Sequence, residues 1–316
     1  MNRLEPAQVQ RAGIVGTGVI GSGWAAHFLR MGMDVLAWDP APKAEDALRA
    51  VVARVWPNMK KLGLRTGAHP DRLSFTDSVE DCVAGVDFVQ ESAPEREEIK
   101  MPLLAQIDAA ARPATVIASS TSGYPMTLLQ RECLNHPERI VVGHPFNPPY
   151  LIPLVEVGGG EKTDPEVVDW AVAFYNHCDK FGLKMMQELP GFVANRLQEA
   201  MWREALHMVD AGMATVEEID AAITQGPGLR WPIFGPMLTF HLAGGVGGIA
   251  HMLDHFDPTK FESWSFLKSP ALAAQLREAV LSGCEREAGD RTIRDLEVER
   301  DRKLIAILNA LQQHQA

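Results

Sequence analysis

Short apolar runs alternate with longer helix-like stretches over the first 190 residues of the chain. The apolar runs are typical of buried strands and lie at 12–16, 34–39, 86–90, 115–118, 139–143, 153–157 and 183–187. The stretches between them have helical spacing, at 16–32, 42–62, 97–111, 125–133 and 165–181. Strands that alternate with helices predict an α/β fold with a mostly parallel sheet covered by helices.

The pattern changes after Pro190-Gly191, where the apolar runs stop and only helical spacing continues. Helices are predicted at 192–212, 215–225, 236–255, 270–288 and 290–313, with a capping-box pattern in Thr215 and Glu218. The 316 residues exceed the usual domain size of about 100–200 residues. We therefore predict an N-terminal α/β domain over 1–188 and a C-terminal all-helical domain over 189–316.

A glycine-rich turn joins the first predicted strand to the first predicted helix. It has the pattern G-x-G-x-x-G, formed by Gly16, Thr17, Gly18, Val19, Ile20 and Gly21. Between a strand and a helix this pattern is typical of a Rossmann-type dinucleotide site, in which phosphates bind the helix N-terminus. Asp39 ends the next strand, and its carboxylate suits ribose hydroxyls and repels a 2′-phosphate. The pattern predicts NAD rather than NADP as cofactor, with a flavin as the alternative.

Composition narrows the possible partners. The 30 Lys and Arg residues against 41 Asp and Glu residues give a net charge of −11, which disfavours nucleic acid and membrane binding. The four cysteines show no metal-ligand spacing, so we predict reduced thiols, no metal and a cytoplasmic location. Residues 231–253 carry no Asp, Glu, Lys or Arg but include two prolines and five glycines. That stretch predicts a buried helix or a homodimer interface rather than a membrane span.

A histidine just after one predicted strand and a glutamate on the next predicted strand form a candidate pair. His144 follows the run 139–143, and Glu156 lies within the run 153–157. A histidine with a carboxylate partner is the usual device for moving a proton near neutral pH. Strand ends next to a dinucleotide loop are where such a pair is expected.

The motifs together resemble those of the 3-hydroxyacyl-CoA dehydrogenase superfamily over residues 10–255. The resemblance lies in the glycine loop, the Ser122 loop, H-P-F-N-P from His144, L-V-E-V around Glu156 and P-G-F-V-A-N-R-L from 190. It implies that His144 is the general base paired with Glu156. It also implies that Ser122 and Asn195 hydrogen-bond the substrate oxygen. Asn147 and Glu91 are placed with the cofactor-binding residues.

Two further segments are similar to the carnitine 3-dehydrogenase branch of that superfamily, FNPPYLI at 146–152 and the run 228–245. The resemblance implies NAD-dependent oxidation of a small zwitterion, carnitine. Aromatic faces suit its quaternary ammonium, and the candidates are Phe146, Tyr150, Trp231, Phe234 and Phe240. Arg196 or Arg230 is the candidate partner of its carboxylate.

Three alternatives stay open: an L-gulonate 3-dehydrogenase, a short-chain 3-hydroxyacyl-CoA dehydrogenase, and an inactive crystallin-like scaffold. The acidic stretch ESAPEREEIK at 91–100 disfavours a CoA phosphate, although Lys60, Lys61 and Arg65 could form a basic patch elsewhere. The complete catalytic set argues against an inactive scaffold.

Overall fold

The computed structural model of the protein describes residues 3–255, 271 and 273–313. The chain forms two compact units, Met1–Asn195 and Arg196–Ala316. The strands belong to the first unit, and the described residues of the second form helices and turns. This arrangement confirms the predicted α/β fold followed by a helical part. The sequence pattern placed the division at 188/189, whereas the first compact unit continues to Asn195.

One eight-stranded sheet organises the first unit. Its strands are β1 (Arg11–Val15), β2 (Asp34–Trp38), β3 (Leu73–Phe75), β4 (Phe88–Glu91), β5 (Val116–Ser119), β6 (Ile140–Pro145), β7 (Leu154–Gly159) and β8 (Phe181–Lys184). They lie in the order β3-β2-β1-β4-β5-β6-β7-β8. Strands β1 to β6 pair in parallel, while β7 is antiparallel to β6 and parallel to β8. The strand order reverses between β1 and β4, which is where open α/β sheets bind ligands.

The helices of this unit are α1 (Val19–Arg30), α2 (Ala44–Lys61), α3 (Val79–Ala84), α4 (Glu97–Ala110), α5 (Met126–Leu129) and α6 (Pro165–His177). Most were predicted within a few residues, but α5 is shorter than the predicted stretch 125–133. The sequence pattern missed β3 and α3, which have three and six residues. Segments this short contain too few periods of hydrophobic alternation to be recognised.

Apolar side chains pack on both faces of the sheet. On one face, Leu104 and Ile107 of α4 join a buried cluster with Val89 of β4. On the other face, the ring centroids of Phe88 in β4 and Phe174 in α6 lie 4.3 Å apart. Phe88 and Val89 point to opposite faces because successive side chains of a strand alternate. Burial on both faces makes such strands continuous apolar runs, which explains why the sequence revealed them.

The described residues of the second unit form helices joined by turns. They are α7 (Val193–Asp210), whose first turn still belongs to the first unit, α8 (Val216–Thr224), α9 (Pro236–Ala243), α10 (Gly248–His255), α11 (Ala274–Ala288) and α12 (Ile293–Gln313). The predicted capping box at α8 is confirmed. The Glu218 N–H donates to the Thr215 hydroxyl at 3.2 Å, and the Thr215 N–H donates to the Glu218 carboxylate at 2.9 Å.

The structure divides one predicted helix of the uncharged stretch 231–253 and leaves the stretch exposed in the single chain, so of the two alternatives the homodimer interface stays a prediction. The helix predicted at 236–255 is divided into α9 and α10, because Gly245 and Gly248 between them take φ values of +59° and +58°. The stretch is also not buried in this chain. Met237, Leu242 and Val246 all have exposed side chains, as do Trp231, Phe234, Leu238, Phe240 and Leu253.

Among the described residues, none of the helices combines the length and the hydropathy needed to cross a membrane. The same part of the chain contains no group of three or more His, Cys, Asp or Glu side chains arranged to hold a metal ion. The four cysteines are free thiols, as predicted, with Cys82, Cys133 and Cys178 buried and Cys284 exposed.

Candidate active site

The glycine loop makes a tight turn between β1 and α1. Gly16 has a φ of +89°, and a Cβ there would lie 2.8 Å from the backbone of Ser92 and Ala93. A Cβ on Gly21 would lie 1.8 Å from the Gly16 carbonyl oxygen, so the helix can approach the turn this closely only with glycine. These two glycines allow the turn and bring the N-terminus of α1 to the end of β1.

Gly18 faces open space and precedes the first residue of α1. A Cβ at Gly18 would meet no atom within 4 Å, and glycine has no side chain to cap the N–H groups at the helix start. Backbone N–H groups at a helix start carry partial positive charge and hold phosphates. A cavity of about 700 Å³ opens here. Its size is within the range of about 300–1,000 Å³ that is common for small-molecule and cofactor sites. These features fit a dinucleotide.

Asp39 lies at the cavity wall, immediately after β2. Its carboxylate accepts hydrogen bonds from the Thr17 N–H at 2.7 Å, the Thr17 hydroxyl at 3.2 Å and the Ala41 N–H at 2.9 Å. A carboxylate has about four lone-pair sites, so it can still accept from a ribose hydroxyl. The described residues that line the cavity include no Lys or Arg. The wall therefore offers no partner for a 2′-phosphate, which agrees with NAD.

Some of the predicted cofactor residues line the cavity and others do not. Gly16, Gly18, Val19, Ile20 and Asp39 line it, whereas Thr17, Gly21, Glu91 and Asn147 are outside its lining. Glu91 is fully buried and accepts hydrogen bonds from Lys100 at 2.9 Å and from the Ala93 N–H at 2.6 Å. Its carboxylate is thus engaged behind the wall. Asn147 is exposed on the segment after β6.

His144 and Glu156 meet across the antiparallel pair β6 and β7, where they are direct register partners. The distance from His144 Nδ1 to Glu156 Oε2 is 2.9 Å. His144 lines the cavity, and its side chain is only 7% exposed. Because Nδ1 donates to the carboxylate, Nε2 is the ring nitrogen that can accept a proton. The arrangement has the geometry of a general base oriented by a carboxylate.

The other oxygen of Glu156 caps helix α7. It accepts hydrogen bonds from the N–H groups of Val193 and Ala194 at 2.8 Å and 2.9 Å. Burial of the carboxyl raises its pKa, but hydrogen bonds from His144 and Ala194, with the charge of His144, outweigh burial and lower the pKa of Glu156 overall. Glu156 is therefore held as an anion next to His144.

Ser122 and Asn195 are close to each other at the same side of the cavity. The Asn195 side-chain amide donates to the Ser122 carbonyl at 3.0 Å, and Ser122 lines the cavity. The Ser122 loop is held by Glu95, whose Oε1 accepts from the Thr121 hydroxyl, the Ser122 N–H and hydroxyl, and the Gly123 N–H. The structure thus brings together Ser122, Asn195, His144 and Glu156 within the first unit.

Two aromatic rings lie next to the His144 imidazole. The ring centroid of His144 lies 5.2 Å from that of Phe146 and 5.4 Å from that of Phe192. Phe192 has a φ of +50° and is 1% exposed; strained backbone of this kind is often found at functional sites. Tyr150 is 9% exposed in the segment after β6. Lys180 donates to the Pro149 and Ile152 carbonyls and thereby fastens this segment.

The remaining predicted substrate residues belong to the second unit. Arg196 lies in α7, and Arg230, Trp231 and Phe234 precede α9. Trp231 and Phe234 are 40% and 42% exposed. Their roles in substrate binding stay predictions.

Sequence reasoning missed Ser92, Glu95 and Ser120, which all line the cavity. Ser92 and Glu95 follow β4, and Ser120 follows β5. The carboxyl ends of parallel strands on both sides of a switch point are expected to carry ligand-binding residues. That signal is present in the sequence, where Glu91 is predicted as a cofactor residue but Ser92, Glu95 and Ser120 are not.

Comparison with known families agrees with this geometry. Residues 11–188 match the model of the 3-hydroxyacyl-CoA dehydrogenase NAD binding domain, and residues 191–284 match that of the 3-hydroxyacyl-CoA dehydrogenase C-terminal domain. An L-carnitine dehydrogenase of Streptomyces griseus is 60% identical, over 96% of this chain and 91% of that protein. An L-carnitine dehydrogenase of Pseudomonas aeruginosa is 49% identical, over 98% and 96%.

Solved structures of the same fold include two dehydrogenases. The NAD⁺-dependent dismutase 5-formyl-3-hydroxy-2-methylpyridine 4-carboxylic acid 5-dehydrogenase superposes with a TM-score of 0.81 at 30% identity, covering 96% of this chain and 99% of that one. The (S)-3-hydroxybutyryl-CoA dehydrogenase of Ralstonia eutropha gives a TM-score of 0.63 at 28% identity, covering 89% and 95%.

Proposed function

The chain belongs to the 3-hydroxyacyl-CoA dehydrogenase family, and on that premise we propose that it oxidises L-carnitine to 3-dehydrocarnitine with NAD. The observation that carries the reaction type is the 2.9 Å hydrogen bond between His144 and Glu156 at the wall of the NAD cavity. The choice of substrate is supported by relatives named L-carnitine dehydrogenase that match nearly the whole chain.

His144 acts as the base in this reaction. Its Nε2 takes the proton of the substrate hydroxyl, and the Glu156 carboxylate stabilises the imidazolium that results. NAD, when bound, supplies the hydride acceptor. The Asn195 amide uses one N–H on the Ser122 carbonyl and has a second N–H for the oxygen on which negative charge develops. The Ser122 hydroxyl joins it as a donor by turning away from the Glu95 carboxylate, to which it donates in the structure. The aromatic rings around His144 reduce access of water to the base.

Stereochemistry supports one catalytic geometry for both acyl-CoA and carnitine substrates. In an (S)-3-hydroxyacyl group the carbon chain leading to the thioester outranks the alkyl tail. Replacing that tail by a CH₂ group attached to nitrogen reverses this ranking. The same spatial arrangement is then named (R), which is L-carnitine.

The charge of the site is compatible with a cationic substrate. The ionisable side chains that line the cavity are Asp39, Glu95 and His144. A trimethylammonium group needs aromatic faces and negative surroundings, and does not need strong hydrogen-bond acceptors. Phe146 and Tyr150 of the first unit are our candidates for its binding. For Arg196, Arg230, Trp231 and Phe234 of the second unit we propose roles in binding the carboxylate and the ammonium group.

A substrate screen tests the proposal. The purified protein is incubated with NAD and L-carnitine, D-carnitine, L-gulonate or 3-hydroxybutyryl-CoA, and NADH is followed by absorbance. For the wild type we expect NADH to form with L-carnitine. For His144→Ala we expect kcat to fall by about 10²–10⁴, the usual contribution of a general base. Faster turnover of L-gulonate or the CoA ester would assign one of those substrates instead.

We also propose that the protein is a cytoplasmic homodimer joined through the apolar surface around α9. The side chains of Met237, Leu242 and Val246 are 78%, 61% and 111% exposed in the single chain. Large exposed apolar patches of this kind usually mark interaction sites. The free thiols are compatible with a reducing compartment. Sedimentation equilibrium should give a dimer for the wild type and a shift toward monomer for Met237→Asp. A monomeric wild type would exclude the dimer.

A further inference from the structure

A chain of buried hydrogen bonds runs from the interior of the first unit to the cavity wall. The Tyr175 hydroxyl donates to Gln90 Oε1 at 2.6 Å. Gln90 Nε2 donates to the Ser120 hydroxyl at 2.8 Å and to the Gly143 carbonyl at 3.1 Å. The Ser120 and Ser92 hydroxyl oxygens are 2.9 Å apart, and both serines line the cavity. Tyr175 and Gln90 are completely buried.

The direction of these hydrogen bonds is determined by the chemistry of the amide. The amide oxygen of Gln90 accepts the hydrogen bond from Tyr175, so the two N–H groups of the Gln90 amide point to Ser120 and to Gly143. A reversed amide would direct its oxygen at the Gly143 carbonyl oxygen and its N–H groups at the tyrosine. Burial makes such unpaired polar groups costly. The orientation with Tyr175 as the first donor is therefore the stable one.

This direction leaves one spare hydrogen at the cavity. The Ser120 oxygen already accepts from Gln90, and the two serines share one hydrogen between their oxygens. Each hydroxyl has one hydrogen, so the pair has two and uses one internally. The other O–H group points away from the pair. The Ser92–Ser120 pair therefore has one O–H group available for a ligand that offers a hydrogen-bond acceptor.

The pair lies at the catalytic end of the cavity. Ser120 is two positions before Ser122, and Gln90 also holds the carbonyl of Gly143, the residue before His144. Tyr175 packs so closely on Gly143 that a Cβ there would lie 2.1 Å from its hydroxyl oxygen. The same buried amide therefore connects the serine pair to the backbone of the base. The part of NAD that must reach this end is the nicotinamide ring, whose hydrogen-bond acceptor is its carboxamide oxygen.

We propose that the Ser92–Ser120 pair donates a hydrogen bond to the nicotinamide carboxamide oxygen of NAD, and that Tyr175 and Gln90 are positioning residues that orient this donor. The inference rests on NAD binding by this family and not on carnitine as the substrate. It assigns a cofactor role to two serines and a buried tyrosine that sequence motifs did not indicate.

Calorimetric titration of the whole protein with NAD and with ADP-ribose tests the proposal. ADP-ribose keeps the adenosine and the pyrophosphate but lacks the nicotinamide ring. In the Ser92→Ala/Ser120→Ala double variant the Kd for NAD should rise about tenfold, which corresponds to about 1.4 kcal/mol. The Kd for ADP-ribose should stay within twofold of wild type. Tyr175→Phe should show a smaller rise that is again confined to NAD.

Thr115→Val is the matched control for stability. Thr115 donates a buried hydroxyl hydrogen bond to the Val86 carbonyl at 3.0 Å, at the opposite end of β5 from Ser120. The Thr115→Val variant should lower the melting temperature about as much as Tyr175→Phe does. Its Kd values for NAD and for ADP-ribose should equal those of the wild type. A second probe is the thionicotinamide analogue of NAD, whose sulfur is a weaker acceptor. The wild type should prefer NAD over it, and the double variant should lose that preference.

Either of two results would overturn the proposal: a double variant that binds NAD as tightly as the wild type, or an equal loss of affinity for NAD and ADP-ribose. Because these are binding measurements without a second substrate, they remain decisive even if carnitine is not oxidised.

Discussion

Replacement of Glu156 by glutamine separates the two roles of one carboxylate. Oε2 orients His144, while Oε1 caps α7 through the N–H groups of Val193 and Ala194. The amide has the same shape but only one oxygen, so it can serve one of these partners and not both. We expect the oxygen to remain with the two backbone donors, because an NH₂ group directed at two N–H groups would leave all of them unpaired.

That choice places the NH₂ group opposite His144 Nδ1. Nδ1 must then accept, so the proton moves to Nε2, the nitrogen that the reaction requires as the base. In a serine protease with a comparable dyad, the wrong histidine tautomer lowers kcat by about 10⁴. For Glu156→Gln we expect a loss of about 10²–10⁴ in kcat, the range of a missing general base. The KM for NAD should change little, since Glu156 lies outside the cavity lining.

The pH dependence of stability should change as well. The pKa of Glu156 in the folded protein lies below its ordinary value of 4.5. The unfolded chain therefore binds a proton more readily, and the stabilisation is present above the ordinary pKa and lost as pH falls through the lowered pKa. Glutamine cannot titrate, so the free energy of unfolding of the variant should fall less steeply in this acidic window.

The assays are NADH formation with carnitine across pH and urea unfolding from acidic to neutral pH. Asp164→Ala is the control for loss of a helix cap, because Asp164 caps α6 by accepting from the Glu166 N–H at 2.9 Å and contacts no residue of the site in its capping role. It should lower stability and leave kcat unchanged. If Glu156→Gln kept kcat within threefold of wild type, His144 would not depend on this carboxylate and the assignment of the dyad would be wrong.

Three further predictions concern the cofactor, the substrate and a buried lysine. Asp39→Ala should raise the KM for NAD and reduce the preference over NADP, measured as kcat/KM with each cofactor; a wild type that uses NADP equally well would contradict this. Tyr150→Leu and Trp231→Leu should each raise the KM for carnitine about tenfold, equivalent to 1.4 kcal/mol, without changing the KM for NAD; unchanged values in both would place the ammonium site elsewhere. Burial lowers the pKa of Lys180 from 10.5 to about 7. The unfolded chain therefore binds the extra proton between these values, and the unfolding free energy of the wild type should rise with pH there relative to Lys180→Met. The prediction is tested by urea unfolding of both proteins at pH 7 and pH 10. An equal change in unfolding free energy between the two pH values for wild type and Lys180→Met would refute it.

Much of the first unit is determined by local sequence patterns. Strands β1, β4, β5 and β6 are buried on both faces and are therefore visible as apolar runs, whereas β2 alternates between buried and half-buried residues. The glycine loop is equally local, because Gly16 and Gly21 satisfy steric demands within one turn. The pairing of His144 with Glu156 is also predictable, because consecutive predicted strands bring the two residues to one sheet.

The helical unit shows where local patterns are insufficient. Helical spacing continues across 236–255, but the glycines between α9 and α10 divide the helix. The sequence showed the apolar character of this stretch, yet whether apolar residues are buried depends on what packs against them, and within this chain they remain exposed.

The finer arrangement of the site depends on contacts between distant segments. Glu91 and Glu95 belong to one acidic stretch, yet Glu91 pairs with buried Lys100 while Glu95 holds the Ser122 loop at the cavity wall. Glu156 acquires its second role only because the start of α7 reaches it from 37 positions away. Periodicity and motif spacing record which face a residue occupies and which loop it belongs to. They do not record the register between strands or the approach of a loop to a carboxylate, because those are determined by the packing of the whole unit.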